Sequence, residues 1–129
     1  MLTLKVKTDQ KQSMIDVTKQ IAAKVKESGV ASGVCTVFVP HTTAGITTQV
    51  STDPDVKLDM IDALERMVPT KGKYRQPDGN THAHIKASLV GSSVTAIVEN
   101  RKLVLGTWQG IFLCEFDGPR ERSLLIRVS

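Results

Sequence analysis

Three histidines are the only imidazoles in the chain, and their placement is its first chemical signal. His41 stands in VPHTTAG. His82 and His84 stand two positions apart in DGNTHAHIKASLVG, beside Lys86 and Ser88. Imidazole titrates near neutrality and ligates divalent metals, so such residues act as acid–base groups or as ligands. His41 follows an apolar run, which puts it at a strand end, a common mounting point for function. Thr42, Thr43 and the loop backbone can orient it; the same threonines can equally satisfy the hydrogen bonds of a plain turn. The second stretch has two readings. On a helix His84 and Ser88 share a face at i, i+4; on a strand His82, His84 and Lys86 share one. Neither gives the His-x-x-x-His spacing of a helical zinc pair.

Two further clusters carry polar groups that a simple fold would not need. Gly106-Thr107-Trp108-Gln109-Gly110 holds the sole tryptophan, which can wall a ligand ring and offer an indole N–H, or plug a core edge. Glu115-Phe116-Asp117-Gly118-Pro119-Arg120 sets two carboxylates and a guanidinium around a turn. A guanidinium fork matches phosphate or carboxylate, and the same residues suit an internal salt bridge.

The elements that must position these groups follow from periodicity. Leu2, Leu4 and Val6 alternate with polar residues, as in a half-buried strand. Ser13 with Asp16 resembles a capping box, so a helix is expected from Ser13, with Met14, Val17, Ile21 and Val25 on one face and Gly29 as its end. GVCTVFVP reads as a strand buried on both faces, and GITTQVS as another strand. Asp53, Pro54 and Asp55 open a second helix that buries Leu58, Ile61, Leu64 and Val68 and stops at Pro69. PTKGKYRQPDGN is a loop by composition. THAHIKASLVG reads as a strand or a short helix; Asn80 or Thr81 as cap and Gly91 as terminator favour the helix. SVTAIV and KLVLG form a hairpin around Glu99–Asn100–Arg101, and GIFLCEF and RSLLIRV are strands joined through Asp117, Gly118 and Pro119. About seven strands and two main helices make an α+β fold, a mostly antiparallel sheet with the helices packed on it, in a single domain spanning residues 1–129.

Composition limits the function classes. A 40% hydrophobic content supports one core, and with five aromatic residues its volume must come from aliphatic side chains. No apolar run approaches the length of a membrane helix, and MLTLKVKTDQ lacks a signal-peptide h-region. A cytoplasmic protein with no membrane association is expected. Cys35 and Cys114 sit in apolar surroundings without CxxC spacing, which suits reduced packing residues. The net charge of +4 is scattered, with Lys71, Lys73 and Arg75 sharing one loop, and the stacked aromatics of a base-binding sheet are missing. Nucleic acid is not an expected partner.

Taken in chain order, HTTAGI, DPDV, DGN-x-x-AHIKASLVG, LGTWQGI and CEFDGPR resemble the signature of the YjbQ-like family, also described as secondary thiamine-phosphate synthase enzymes. The resemblance extends from the first strand to RSLLIRVS. It implies a homotrimer of α+β domains with clefts near subunit boundaries, and a weak activity joining a pyrimidine methyl diphosphate to a thiazole phosphate with release of pyrophosphate. Carried over by motif, His41, His84, Ser88 and Glu115 are the expected catalytic residues. Asn80, Lys86, Trp108, Gln109 and Arg120 are expected to bind a small phosphorylated substrate, Lys86 and Arg120 through phosphate. His41, His84 and Asp59 are the expected ligands of a divalent metal such as zinc, and magnesium would accompany a diphosphate. His82 falls at a variable position and receives no role. Two departures stand out. Gln49 and Val50 replace an Asn-Glu pair common in the family, and Gln76, Pro77 and Asp78 replace its His and Glu before Gly-Asn. Loss of those groups keeps an alternative open, a non-catalytic module binding a small anionic metabolite or a metal.

Overall fold

A computed structural model describes all 129 residues. Its elements in chain order are β1 (Leu2–Lys7), β2 (Ser13–Asp16), α1 (Thr18–Ser28), β3 (Gly33–Phe38), β4 (Ala44–Val50), α2 (Pro54–Met67), α3 (Thr81–Val90), β5 (Ser93–Glu99), β6 (Lys102–Val104), β7 (Gln109–Glu115) and β8 (Glu121–Val128). Every strand pairing is antiparallel. Five strands form one sheet in the order β1-β8-β3-β5-β6, and three form another in the order β2-β7-β4. The fold is α+β, as expected, with three helices.

The apolar pattern explains the layering. β7 is an almost continuous apolar run because both its faces are covered. Ile111 and Leu113 point into the main core, where they meet Val17, Ile21 and Val25 of α1, Cys35 and Val37 of β3, and Leu124 and Ile126 of β8. Phe112 and Cys114 point the other way, into a smaller cluster with Met14, Ala83, Ala87 and Phe116. The site lies where the ends of β3, β4 and β7 meet α3.

Three local expectations change. Residues 13–16 form β2 rather than the first turn of a helix, with Met14 opposite Cys114 on β7. The helix starts later because Asp16 supplies the turn chemistry: its Oδ1 accepts from the Thr18 backbone N–H at 2.9 Å and from the Thr18 hydroxyl at 2.6 Å. Gly29 does end α1, in the left-handed region. Second, β3 is covered on one face only: Cys35 and Val37 are buried, while Val34 and Phe38 are exposed. Third, Asp53 caps α2 by accepting from the Asp55 N–H, yet no residue within α2 is fully buried and Leu58 is 54% exposed. Only Val68, just past its end, is enclosed. Asp117–Pro119 does join β7 to β8, and in doing so carries the chain from the smaller sheet to the larger one.

The helix reading of residues 81–90 holds, and Gly91 terminates it. The hairpin between β5 and β6 also holds; Asn100 and Arg101, both at positive φ, make its two-residue turn.

Candidate functional site

Pro40 ends the β3 segment and the chain turns, leaving His41 and Thr42 beside α3. On α3, His84 and Ser88 share the face turned to them. These residues with Ala44, Ala87, Gly91 and Ser92 line a cleft of about 530 Å³. His41, Thr42 and His84 also line an adjoining hollow of about 360 Å³, completed by Asn80, Asp117, Arg120 and Arg122 among others. The cleft therefore has two lobes that share both histidines. One lobe is walled by small, mostly uncharged side chains; the other carries two guanidinium groups.

Each polar group there has a defined setting. His41 Nε2 accepts from the Ser123 backbone N–H at 3.0 Å. Burial first, and the Arg122 charge second, hold its pKa below the ordinary imidazole value. The His84 ring makes no hydrogen bond within the chain, whereas its carbonyl accepts from Ser88 Oγ at 3.0 Å. Asn80 Nδ2 donates to Asp117 Oδ2 at 3.1 Å, and its Oδ1 is buried without a partner. Arg120 donates to the Asp117 carbonyl and carboxylate at 2.8 and 3.0 Å, leaving Nη1 unengaged. Burial raises the Asp117 pKa, but Asn80 and Arg120 more than offset it and hold the carboxyl below its usual value.

Glu115 is not in the cleft. It is fully buried and ion-paired with Arg122, which also donates to the Thr43 hydroxyl at 2.8 Å. Thr8 Oγ1 donates to Glu115 at 2.7 Å, and the Asp117 N–H donates at 3.1 Å. Burial would raise its pKa, yet these donors lower it overall. A carboxylate so committed holds the His41–Thr43 loop in place and is no free base.

Lys86, expected on phosphate, is fully buried on another face of α3. Its Nζ donates to Glu65 at 2.7 Å and Gln12 at 3.1 Å, and contacts His82 Nδ1 at 2.9 Å. Lys86 brings three donors, so His82 Nδ1 accepts. His82, given no role from sequence, is thus a buried partner of that lysine. Its pKa is lowered by burial and then by the Lys86 charge.

The remaining candidates lie elsewhere. Trp108 is 64% exposed and Gln109 binds Thr48, both at the far end of β7, about 20 Å of strand from the Glu115 end. Asp59 is exposed on α2 and lines no part of the cleft. No three His, Cys, Asp or Glu side chains come together in a set able to hold a metal ion. The expected His41–His84–Asp59 ligand set does not form within the chain.

Arg122 was not among the expected site residues. Its signal was present: Arg122, Leu124 and Ile126 share the inward parity of β8, and an arginine on that face needs a buried acceptor. Gln12 and Glu65 had no comparable signal, because only the fold brings them to Lys86.

Known proteins share this fold. The family model described as "UPF0047 protein YjbQ-like" matches residues 2–129. UPF0047 protein YugU of Bacillus subtilis is 48% identical over 127 residues, covering 98% of this chain and 96% of that one. A relative in Methanocaldococcus jannaschii is 45% identical over 123 residues, covering 95% and 89%. The crystal structure of an uncharacterised YjbQ/UPF0047 protein from Clostridium acetobutylicum superposes over the full length of both chains with a TM-score of 0.97 at 48% identity. A YjbQ-like protein of unknown function from Sulfolobus solfataricus has a TM-score of 0.93 at 32% identity, covering 98% and 93%. No helix is long and apolar enough to cross a membrane. The chain belongs to the YjbQ-like UPF0047 family.

Proposed function

We propose that the chain is an enzyme acting on a small phosphorylated molecule held in the two-lobed cleft. The observation that carries this reading is the convergence of Arg120, Arg122, Asn80 and two histidines on one hollow that adjoins an uncharged lobe. Guanidinium groups match phosphate oxygens in charge and geometry. The His84 ring, free of internal bonds, is the group able to move a proton at the junction of the lobes. The candidate reaction is the weak thiamine-phosphate synthase step, in which the cleft would stabilise a departing pyrophosphate and keep two substrates in line. Magnesium would arrive with the diphosphate; the chain's own donors do not fit a resident zinc site. The test is purified protein with both precursors and detection of thiamine phosphate. Turnover that disappears in His84→Ala supports the reading; equal product from both proteins excludes it.

A non-catalytic binding module is the second reading. It is favoured by the commitment of the cleft's only carboxylate, Asp117, to Asn80 and Arg120. Phosphate binding that depends on Arg120, without turnover of any phosphorylated compound, would establish it.

We place the protein in the cytoplasm, in keeping with two buried free thiols. We propose a homotrimer as its working form, a reading supported by Val34, Ile97 and Val104, which lie exposed and side by side across the open face of the larger sheet, with Phe38 further along β3.

A further inference from the structure

We infer that His41 serves the cleft as a neutral hydrogen-bond donor, its proton held on Nδ1 by the Ser123 backbone N–H and offered to an anionic oxygen of the ligand. The inference rests on the cleft being a phosphate site, and it assigns one residue a definite role there.

Strand register sets up the arrangement. β3 and β8 pair as far as Phe38 opposite Leu125. The same register two residues on would set Pro40 opposite Ser123, but the pairing with β8 ends at Phe38, while on the other side of β3 the Val39 N–H continues the β5 register to the Ser92 carbonyl at 2.8 Å. The Ser123 N–H is then without a strand acceptor, and the His41 ring takes that place through Nε2. Backbone donors in such positions need a partner, so the contact is held by the sheet as well as by the histidine.

A neutral imidazole has one protonated and one bare nitrogen. A bare Nε2 requires the proton on Nδ1. Protonating the ring would set Nε2–H against the Ser123 N–H across the same short distance. Burial and the neighbouring Arg122 charge act in the same direction, disfavouring the imidazolium. A metal on Nε2 would displace the backbone donor, and a metal on Nδ1 would need the opposite tautomer. The two histidines of the cleft therefore differ in kind. The His84 ring makes no hydrogen bond within the chain, while that of His41 is fixed as a donor beside two guanidinium groups.

The test combines spectroscopy with binding. Long-range ¹H–¹⁵N spectra of histidine-labelled protein at neutral pH identify the protonated nitrogen, the His41 signals being those missing from His41→Gln. Inorganic phosphate is then titrated calorimetrically into wild type, His41→Gln and His41→Ala. The glutamine amide can accept from Ser123 and still donate to phosphate, so His41→Gln should keep affinity within about threefold, whereas His41→Ala should lose about tenfold or more. The His41 spectrum should show Nδ1–H. An Nε2–H or doubly protonated ring in a wild type that binds phosphate overturns the inference and leaves the phosphate site standing. His41→Gln binding as weakly as His41→Ala also overturns it. A wild type that binds no phosphate overturns both.

Discussion

Glu115, paired with Arg122, shows how a residue that reads as catalytic from its motif can be architectural. Both lie on the inward faces of their strands, and each is the other's main compensation for leaving water. Replacing Glu115 with Gln leaves the Arg122 charge buried and uncompensated, so urea unfolding should show a loss of about 3–5 kcal/mol. The sign of the pH effect follows from the lowered pKa of Glu115. Its stabilisation is fully present above the unfolded-state value of about 4.3 and is lost as pH falls through the folded-state value. Wild-type stability should therefore fall more steeply in acid than that of Glu115→Gln; parallel pH profiles would contradict this. Lys86 makes a second case. Lys86→Met keeps the volume but abandons Gln12 and His82, so it should cost about 1–3 kcal/mol in the same assay. Phosphate affinity should be unchanged, because Lys86 lines neither lobe. Weakened phosphate binding in a folded Lys86→Met would return Lys86 to the site.

At the scale of elements, Gly45 decides how closely β4 approaches α3. A Cβ there would lie 2.7 Å from the Gly91 carbonyl oxygen and 3.1 Å from Val90 Cγ1. That carbonyl accepts from the Ile46 N–H at 3.0 Å, so added bulk must push α3 off the sheet or break the bond. Gly45→Ala should destabilise the fold by about 1–3 kcal/mol in thermal melts. Because α3 carries His84 and Ser88, phosphate affinity should fall as well; a melting temperature equal to wild type would refute the tight approach. Local chemistry made most elements legible: the Asp53–Pro54 start of α2, the Gly29 end of α1 and the Asn100–Arg101 turn follow from single residues. Where local signals were ambiguous, partners decided. Residues 13–16 fit a helical stripe as well as a strand, and pairing with β7 settled them. The apolar content of GVCTVFVP reads the same for a strand covered on one face or two; only the layer order showed that the doubly covered strand is β7. Choosing helix for residues 81–90 was enough to join His84 with Ser88. It also placed His82 and Lys86 together at i, i+4, a consequence that spacing alone contained.

For the whole molecule, the open face of the five-stranded sheet is unfinished by the standards of a solitary domain. β3, β5 and β6 place Val34 opposite Ile97 and Ile97 opposite Val104, with Phe38 further along β3, and no helix of the chain covers them. Adjacent apolar side chains on a sheet surface are a recurrent mark of protein association. Trp108 and Gln109, which share a motif with the rest of the site yet stand at the distant end of β7, fit the same picture. They line neither lobe of the His41–His84 cleft in their own chain, and in the proposed homotrimer they would approach that of a neighbour. Ile97→Asp puts a charge at the centre of this face without touching the main core. In the proposed homotrimer it would bury uncompensated carboxylates, so light scattering at micromolar concentration should give a trimer mass for wild type and a monomer mass for the variant. Phosphate affinity is the second readout. A cleft built wholly from one chain keeps its affinity in the Ile97→Asp monomer, while one completed by a neighbour's Trp108 loses it in both Ile97→Asp and Trp108→Ala. A monomeric wild type would remove the assembly and leave Trp108 a surface residue.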